Sequence, residues 1–510
     1  MPSIGICRVF LVNRLASRMF SSKPTYEDAV HKLNLLQSNK STIEQIRKDI
    51  RIGQKCTNLE DMKNYLQRTG VTLPMLDQLS VIHVAGTKGK GSTSAMCESI
   101  LRTHGFRTGF YSSPHLVEVR ERIRLDGITL TRSQFAEHFC QVYNALYNTQ
   151  SFEGDMPKYF AFLTVLAFNV FLKEKVDVAI VEVGIGGIVD YTNILRKVPV
   201  VGITALGLDH TSILGHTLPE IAAAKAGIMK RGCEAYTVTQ PTEAMDVLRT
   251  VASNTECSLN VVPDFDTYKF QNGCKLSIPL QAYQMNASLA IQLSHAWMRI
   301  AKQNTSYIIQ KQVNGNCMTK YIESNVIENG EPVLVNTLTK ETVLGLKECK
   351  WPGRYHIIKS DYAQFYLDGA HTKESMEICA QWFIENNRYQ AKVLIFSATG
   401  DRDAEVLLKP LKDIDFETVF IVIPTAYKEV TKSSDNYSSM EHRELLSRCK
   451  NHAITWKNIN KKSNIVVLQC VSDALLNVKN NSPNKSVLIT GSLHLVGAAL
   501  SIIDPNLSKG

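Results

Sequence analysis

The sequence predicts an α/β protein of two domains, each a largely parallel sheet covered by helices on both faces. Three observations carry that prediction. Apolar, β-branched runs alternate with helical stretches over residues 81–229, and again from Trp351 onward; strands alternating with helices imply parallel sheets buried on both sides. A polar, weakly patterned stretch at 305–350 separates the two series. At 510 residues the chain is too long for one ordinary core.

Hydrophobic residues at 44% and charged residues at 21% are ordinary for a globular protein. The most apolar run, Phe160–Leu172, contains Thr164 and Asn169 and is flanked by Lys158 and Lys173. A buried helix explains it better than a bilayer span, so no transmembrane segment is expected. The net charge of +9 comes without any block of like charges resembling a nucleic-acid arm, so no nucleic-acid partner is expected. Twelve scattered cysteines without a C-x-x-C pair argue for reduced thiols in an intracellular compartment, and against a zinc ribbon.

In chain order, residues 1–26 hold Arg8, Arg14, Arg18 and Lys23, interleaved with Ile4, Ile6, Val9, Phe10, Leu11 and Leu15, and no acid. Such acid-poor, amphipathic, Arg-containing leaders are typical of mitochondrial transit peptides. Residues 1–20 are therefore expected to be a cleaved leader to the matrix, with Met19 as a downstream start for a cytosolic form. Residues 27–70 carry a helical period. Strands are expected at Val81–Ala85, Thr108–Tyr111, Val176–Val183 and Val198–Ala205, with helices at Phe160–Lys173 and Pro219–Met229 among them. The first domain is thus placed at 21–304, a linker with a short helix (Lys340–Lys350) at 305–350, and the second domain at 351–510. The second series has strands at Ala363–Leu367, Lys392–Phe396, Thr418–Ile423 and Val487–Thr490. Residues 425–463, rich in Ser, Asn and Lys, are expected to form an extended loop.

The chemistry centres on Val81-Ile-His-Val-Ala-Gly86-Thr-Lys-Gly89-Lys90-Gly91-Ser92-Thr93. A β-branched run ends in three glycines around two lysines, and an unbroken helical stretch follows. Glycines at a helix N-terminus let backbone N–H groups approach an anion, while the dipole and a lysine add positive potential. The strict Walker pattern fails, because Val84 replaces a glycine and Gly91 separates Lys90 from Ser92. The plainer alternative is an ordinary glycine-rich β–α turn.

A second strand ends at Glu182 before Gly184-Ile-Gly186-Gly187. As a dinucleotide fingerprint it lacks the third glycine, since position 189 is Val. An acid at the carboxyl end of a parallel strand beside a nucleotide loop suits a magnesium ligand, and equally a helix cap. His210 ends the next strand region, and Lys225 lies fifteen residues on between small residues. Such a lysine is usually solvated; near a nucleotide it can contact phosphate or carry CO2 as a carbamate. Arg120, Arg122 and Arg124 either face an acidic ligand or form a salt-bridged edge. Arg354, in Trp351-Pro-Gly-Arg354, and Asp368-Gly-Ala-His371 open the second series, either as tight turns or as a second wall facing the nucleotide.

Taken together, these stretches resemble the folylpolyglutamate synthase family of the Mur-ligase-like superfamily, from about residue 70 to the C-terminus. Ala85–Ser92 and Ile180–Ile194 are the most diagnostic pieces. Ser112–Leu116, Leu208–His210, Lys225–Ile228, Trp351–Arg354 and Asp368–His371 agree in order and spacing, while Ile188 and Tyr191 depart from the pattern. Ala398–Asp403 and Thr490–Val496 resemble the eukaryotic branch. The resemblance implies a P-loop-type ATPase domain with a parallel sheet followed by a Rossmann-like α/β domain. It implies ATP phosphates on Gly89, Lys90, Gly91 and Ser92, magnesium on Ser113, Glu182 and His210, and a carbamoylated Lys225 supporting a second magnesium. Arg354 and Asp368 would contact ATP with His371 beside them, and Asn286 in Tyr283-Gln-Met-Asn286 would be another nucleotide contact.

The implied reaction joins L-glutamate to the γ-carboxylate of tetrahydrofolate and its polyglutamates through an acyl phosphate, with Arg120 and Arg122 helping to hold the folate. A monomer is implied, with room for a monovalent cation and for peripheral association with the inner mitochondrial membrane. Two rivals remain. One is a bifunctional enzyme that also glutamylates dihydropteroate. The other is a non-catalytic nucleotide-binding protein, which predicts loss of Lys90, Ser113, Glu182, His210 or Asp368; all five are present.

Overall fold

The computed structural model describes residues 24–37, 56–278, 280–303, 310–313, 316–319, 334–387, 389, 391–399, 402–437, 440–480 and 484–507. The leader at 1–20 lies outside the described residues, as does 38–55 of the expected helical region. The described parts of that region form α1 (Tyr26–Leu35) and α2 (Asn58–Arg68).

Among the described residues the first sheet has eight strands: β1 (Val81–Ala85), β2 (Thr108–Tyr111), β3 (Ile123–Leu125), β4 (Ile128–Thr129), β5 (Val178–Glu182), β6 (Val200–Ile203), β7 (Glu234–Thr237) and β8 (Ser258–Val261). Their order is β4-β3-β2-β5-β1-β6-β7-β8. All neighbours are parallel except the β2–β3–β4 edge. β1 and β5 are buried along their whole length, and a strand with both faces buried reads as a continuous apolar run. Their side chains divide between two cores. Val81, Ala85, Ala179 and Val181 face α2, α4 (Arg132–Asn148) and α5 (Tyr159–Glu174); Ile82, Val84, Val178 and Ile180 face α3 (Lys90–Thr103) and α8 (Gln281–Gln303).

Two connections matter for the site. α6 (Leu218–Ala226) begins in a capping box, with Thr217 and Glu220 each accepting from the other's backbone, and it has proline in its first turn. α7 (Thr242–Asn254) then leads into β8. Within the stretch expected to link the domains, α9 (Lys340–Glu348) docks on α3: the Ser99 hydroxyl donates to Gly345 O at 2.7 Å, and Leu338 and Val343 enter the core beside α3 and α8.

The second sheet comprises β9 (His356–Lys359), β10 (Ala363–Asp368), β11 (Lys392–Phe396), β12 (Phe416–Val422), β13 (Asn464–Leu468) and β14 (Lys485–Thr490). Its order is β9-β10-β14-β11-β12-β13, parallel except for β9. α10 (Lys373–Asn386), α11 (His442–Ile459), α12 (Val471–Asn480) and α13 (Leu493–Ile503) cover it.

α11 corrects the expectation of a loop over 425–463. Its buried side is only Cys449, His452 and Trp456. Three such residues at helical spacing in a Lys- and Asn-rich stretch leave little apolar periodicity to detect. The polar segment 424–437 before it docks on the first domain. Asn34 Nδ2 donates to Lys432 O at 2.8 Å and Ser434 O at 2.9 Å, Val119 N to Asp435 Oδ1 at 2.7 Å, and Asn436 Nδ2 to Leu116 O at 3.1 Å.

Candidate active site

β1, β5 and β6 end side by side, with Val84 paired to Glu182 and Ala85 to Ile203. Ligands in open α/β sheets bind outside the carboxyl ends of such strands. The loop after β1 is pinned there: the N–H groups of Thr87 and Lys88 both donate to Ala205 O, at 3.0 and 3.1 Å. Gly89 caps α3 with φ +88°, and a Cβ there would lie 2.1 Å from Asn286 Oδ1. Only glycine allows both the left-handed backbone and this close approach of α8. Asn286 is buried, and its Oδ1 also receives Thr93 Oγ1 at 3.4 Å. Residues 87–91 stay half-exposed while Ser92 is buried.

Two ammonium groups converge on one carbonyl in this loop. Lys90 Nζ donates to Gly86 O at 3.1 Å and Lys225 Nζ to the same oxygen at 2.8 Å. Lys225 is 3% exposed. Burial, aided by the charge of Lys90, pulls its ammonium down to about 7. A loop carrying two lysines on one neutral acceptor has positive potential to spare, which suits a polyanion.

Glu182, 4% exposed, accepts from Ser113 N at 3.1 Å. Burial raises its carboxyl above the usual range, opposed by Lys90, the Ser113 N–H, Arg354 and Arg122. A buried carboxylate at the edge of a glycine- and lysine-rich loop, with a serine on the adjoining chain, suits a hard, oxygen-seeking cation such as Mg2+. His210 sits at φ +52° with its ring 3.9 Å from Asp209, and Lys90 and Lys225 are among the charges acting on it. Among the described residues no group of three or more His, Cys, Asp and Glu side chains is set to hold a metal ion.

The second domain supplies a facing wall. Asp368, the last residue of β10, is 3% exposed and accepts from Tyr355 N at 3.0 Å. Burial raises its carboxyl, with Arg354 pulling it back. His371 Nδ1 lies 2.8 Å from Gly369 O, which can only accept, so that nitrogen carries a hydrogen. Its Nε2 lies 3.8 Å from Asp209 Oδ2, across the cleft. Burial works against ionisation of Asp209, but the nearby His371 ring and the charges of His210 and Arg402 outweigh it and hold the carboxyl below its usual range. Lys88 Nζ reaches Glu374 Oε2 at 2.6 Å, and the Trp351 ring would lie 3.0 Å from a Cβ on Gly91. The first loop is thus bracketed by second-domain residues.

The structure therefore brings Gly89–Ser92, Lys225, Asn286, Ser113 and Glu182 to one cleft, with Arg354, Asp368 and His371 opposite. Arg120 is a correction. It is buried, paired with Glu118, and donates to Leu130 O at 2.7 Å and Thr129 Oγ1 at 3.0 Å, so it braces the β3–β4 edge rather than facing a ligand. Arg122 donates to His115 Nδ1 at 3.0 Å, and Arg124 lies over the Trp351 ring at 5.2 Å. Asp209, the bridging acid, was missed as a site residue. Its only signal was its place before His210.

Fold and site define a two-domain α/β protein with a glycine- and lysine-rich loop facing a second wall. Residues 354–502 match the family model described as the C-terminal domain of dihydrofolate synthetase. Over 559 aligned residues the chain is 36% identical to mitochondrial folylpolyglutamate synthase of Cricetulus griseus, covering 95% of this chain and 92% of the relative. It is also 36% identical to the mitochondrial folylpolyglutamate synthase of Homo sapiens, over 95% of this chain and 92% of that one. A solved structure of Mycobacterium tuberculosis folylpolyglutamate synthase complexed with ADP and AMPPCP shares the fold, with a TM-score of 0.65 at 22% identity over 88% of this chain and 95% of that chain. The chain belongs to the folylpolyglutamate synthase family.

Proposed function

We propose that this protein is an ATP-dependent ligase that adds L-glutamate to the γ-carboxylate of tetrahydrofolate and folate polyglutamates, forming ADP and phosphate. Besides family membership, the observation that carries the proposal is the two-sided cleft. Lys90 and Lys225 meet at Gly86 O over buried Glu182, and Arg354 and Asp368 stand opposite. The solved relative with ADP and AMPPCP supports ATP as the nucleotide.

In this account Gly89, Lys90, Gly91 and Ser92 hold the ATP phosphates, Asn286 packs beneath the loop, and Arg354 and Asp368 hold the nucleotide from the second domain. His371 belongs to the same machinery, its Nε2 facing Asp209. Ser113, Glu182 and His210 would hold Mg2+, which would neutralise charge building on the transferred phosphoryl group. Lys225, as a carbamate, would support a second Mg2+. Held near 7, its amine is largely neutral in mildly alkaline surroundings, the form that can add to CO2 with loss of a proton. The γ-carboxylate takes the terminal phosphoryl group, ADP leaves, and the amine of glutamate displaces phosphate from the acyl carbon. No enzyme nucleophile is needed; the residues position two anions and neutralise them.

The test is incorporation of labelled glutamate with ATP and magnesium, offering tetrahydrofolate or dihydropteroate. Growth of tetrahydrofolate by γ-linked glutamates supports the proposal, and incorporation into dihydropteroate alone overturns it. Two relatives are named mitochondrial, so we assign residues 1–20 as a matrix leader and Met19 as the start of a cytosolic form. A reporter fused to residues 1–25 should enter mitochondria; a diffuse signal contradicts this. Among the described residues no helix is long and apolar enough to cross a membrane. We assign a monomer, which sedimentation can test.

A further inference from the structure

β7 and β8 form the edge of the first sheet farthest from β4, with Glu234 opposite Ser258. The residue before each strand is a cysteine. Adjacent strands run about 4.8 Å apart, within the Cα separation of about 4.4–6.8 Å that a disulfide spans. The Sγ atoms of Cys233 and Cys257 are 3.1 Å apart. Ser258 N donates to Cys233 O at 3.2 Å and Gly232 N to Glu256 O at 3.0 Å, which locks the two turns side by side.

The two thiols are not equivalent. Lys230 N donates to Cys233 Sγ at 3.3 Å. The hydrogen bond from Cys257, that N–H and the Lys230 charge favour a thiolate at Cys233 against its burial, while the same contact and burial push the Cys257 thiol up. A thiol eased toward ionisation beside one held more firmly protonated is the arrangement of an attacking and a resolving cysteine.

Both cysteines are buried, at 2% and 9% exposed, and each directly follows an exposed turn. Arg231 and Glu256 form an ion pair at 2.8 Å with side chains 81% and 65% exposed. Gly232 (φ +74°) and Glu256 (φ +53°) shape the two surface turns. An exposed ion pair adds little stability, so these turns can open locally without unfolding the sheet.

We propose that Cys233 and Cys257 form a thiol–disulfide exchange site that takes low-molecular-weight disulfides of the glutathione type. Cys233 ionises and its thiolate attacks one sulfur of the reagent; an S–S bond forms to Cys233, the reagent S–S bond breaks, and the other reagent sulfur leaves as a thiolate that takes up the proton Cys233 released. Cys257 then loses its proton and attacks Cys233 Sγ, releasing the second reagent thiol. Two protein thiols are oxidised to one disulfide, and one small disulfide is reduced to two thiols. The new bond would tie two turns 24 residues apart in sequence at the edge of the sheet.

The experiment treats the native, full-length protein with glutathione disulfide, followed by alkylation, non-reducing peptide mapping and a melting curve. We expect a Cys233–Cys257 linked peptide that dithiothreitol removes, and a melting midpoint raised by a few degrees, as cross-linking a loop restricts the unfolded chain. Cys257→Ser should stop at a glutathione adduct on Cys233, and Cys233→Ser should leave Cys257 free. Equal alkylation of both cysteines before and after treatment overturns the proposal. So does a link that forms only in denaturant, or an adduct pattern unchanged by either substitution. Should either variant fail to fold, mapping of the unsubstituted protein decides.

Discussion

Lys225 shows how much a single buried side chain decides here. Its ammonium sits near 7 in the folded protein, against an ordinary lysine value of 10.5. The folded state therefore binds fewer protons than the unfolded chain between those values. By linkage, stability rises with pH through that window, and the penalty is greatest below about 7. Lys225→Met should thus melt higher than the unsubstituted protein at pH 6, with the difference shrinking toward pH 9, while ligation falls about 100-fold or more. An equal melting difference at both pH values would remove the burial argument. Gly89 makes a second case. Gly89→Ala must hold φ +88° and move Asn286, at a cost of about 1–3 kcal/mol, with nucleotide affinity falling alongside; calorimetry and a binding titration check both.

Most of the candidate site that the structure brings together was legible at this scale because it has a dense local pattern: glycines, lysines and a hydroxyl within a few residues. Glu182 and Asp368 were legible for a related reason, each ending a buried apolar strand. Asp209 was not. Its role depends on meeting His371 from the other domain, and no local spacing encodes that meeting. Arg120 misled because an arginine at the rim of a cleft and an arginine paired with Glu118 look alike in sequence.

At the scale of elements, the central strands and long helices followed from apolar periodicity. Elements at the margins did not: β7 (Glu-Ala-Tyr-Thr) and β8 (Ser-Leu-Asn-Val) have no continuous apolar run, and α11 buries three side chains. The segment 424–437 carries the least local signal and the most informative contacts. Asp435 accepts from the Tyr26 hydroxyl and from Val119 N. Burial raises its carboxyl to about 6, with the Tyr26 and Val119 hydrogen bonds opposing and Glu118 adding to the rise. Because that folded value lies above the ordinary 3.8, stability falls as pH rises from about 4 to 6, and the penalty persists above. Asp435→Asn keeps an oxygen acceptor without the charge, so its melting advantage over the unsubstituted protein should grow across that pH range. Asp435→Ala strands the Tyr26 hydroxyl and the Val119 N–H, and should cost about 1–3 kcal/mol. If Asn and Ala behave alike at pH 7.5, the segment is not held by this acceptor.

For the whole molecule, the two sheets supply different halves of one site. The first brings the loop Gly86–Ser92, Glu182 and Lys225 together at the ends of β1, β5 and α6; the second presents Arg354, Asp368 and His371. Neither half alone accounts for a ligation that must hold a nucleotide and two acidic substrates together. The most direct test is the steady-state kcat/KM for ATP in tetrahydrofolate glutamylation, comparing Lys90→Ala from one wall with Asp368→Asn from the other. Both variants should remain folded by melting curve, and each should lose about 100-fold or more. An Asp368→Asn enzyme that ligates glutamate at the unsubstituted rate would contradict a site shared between the domains.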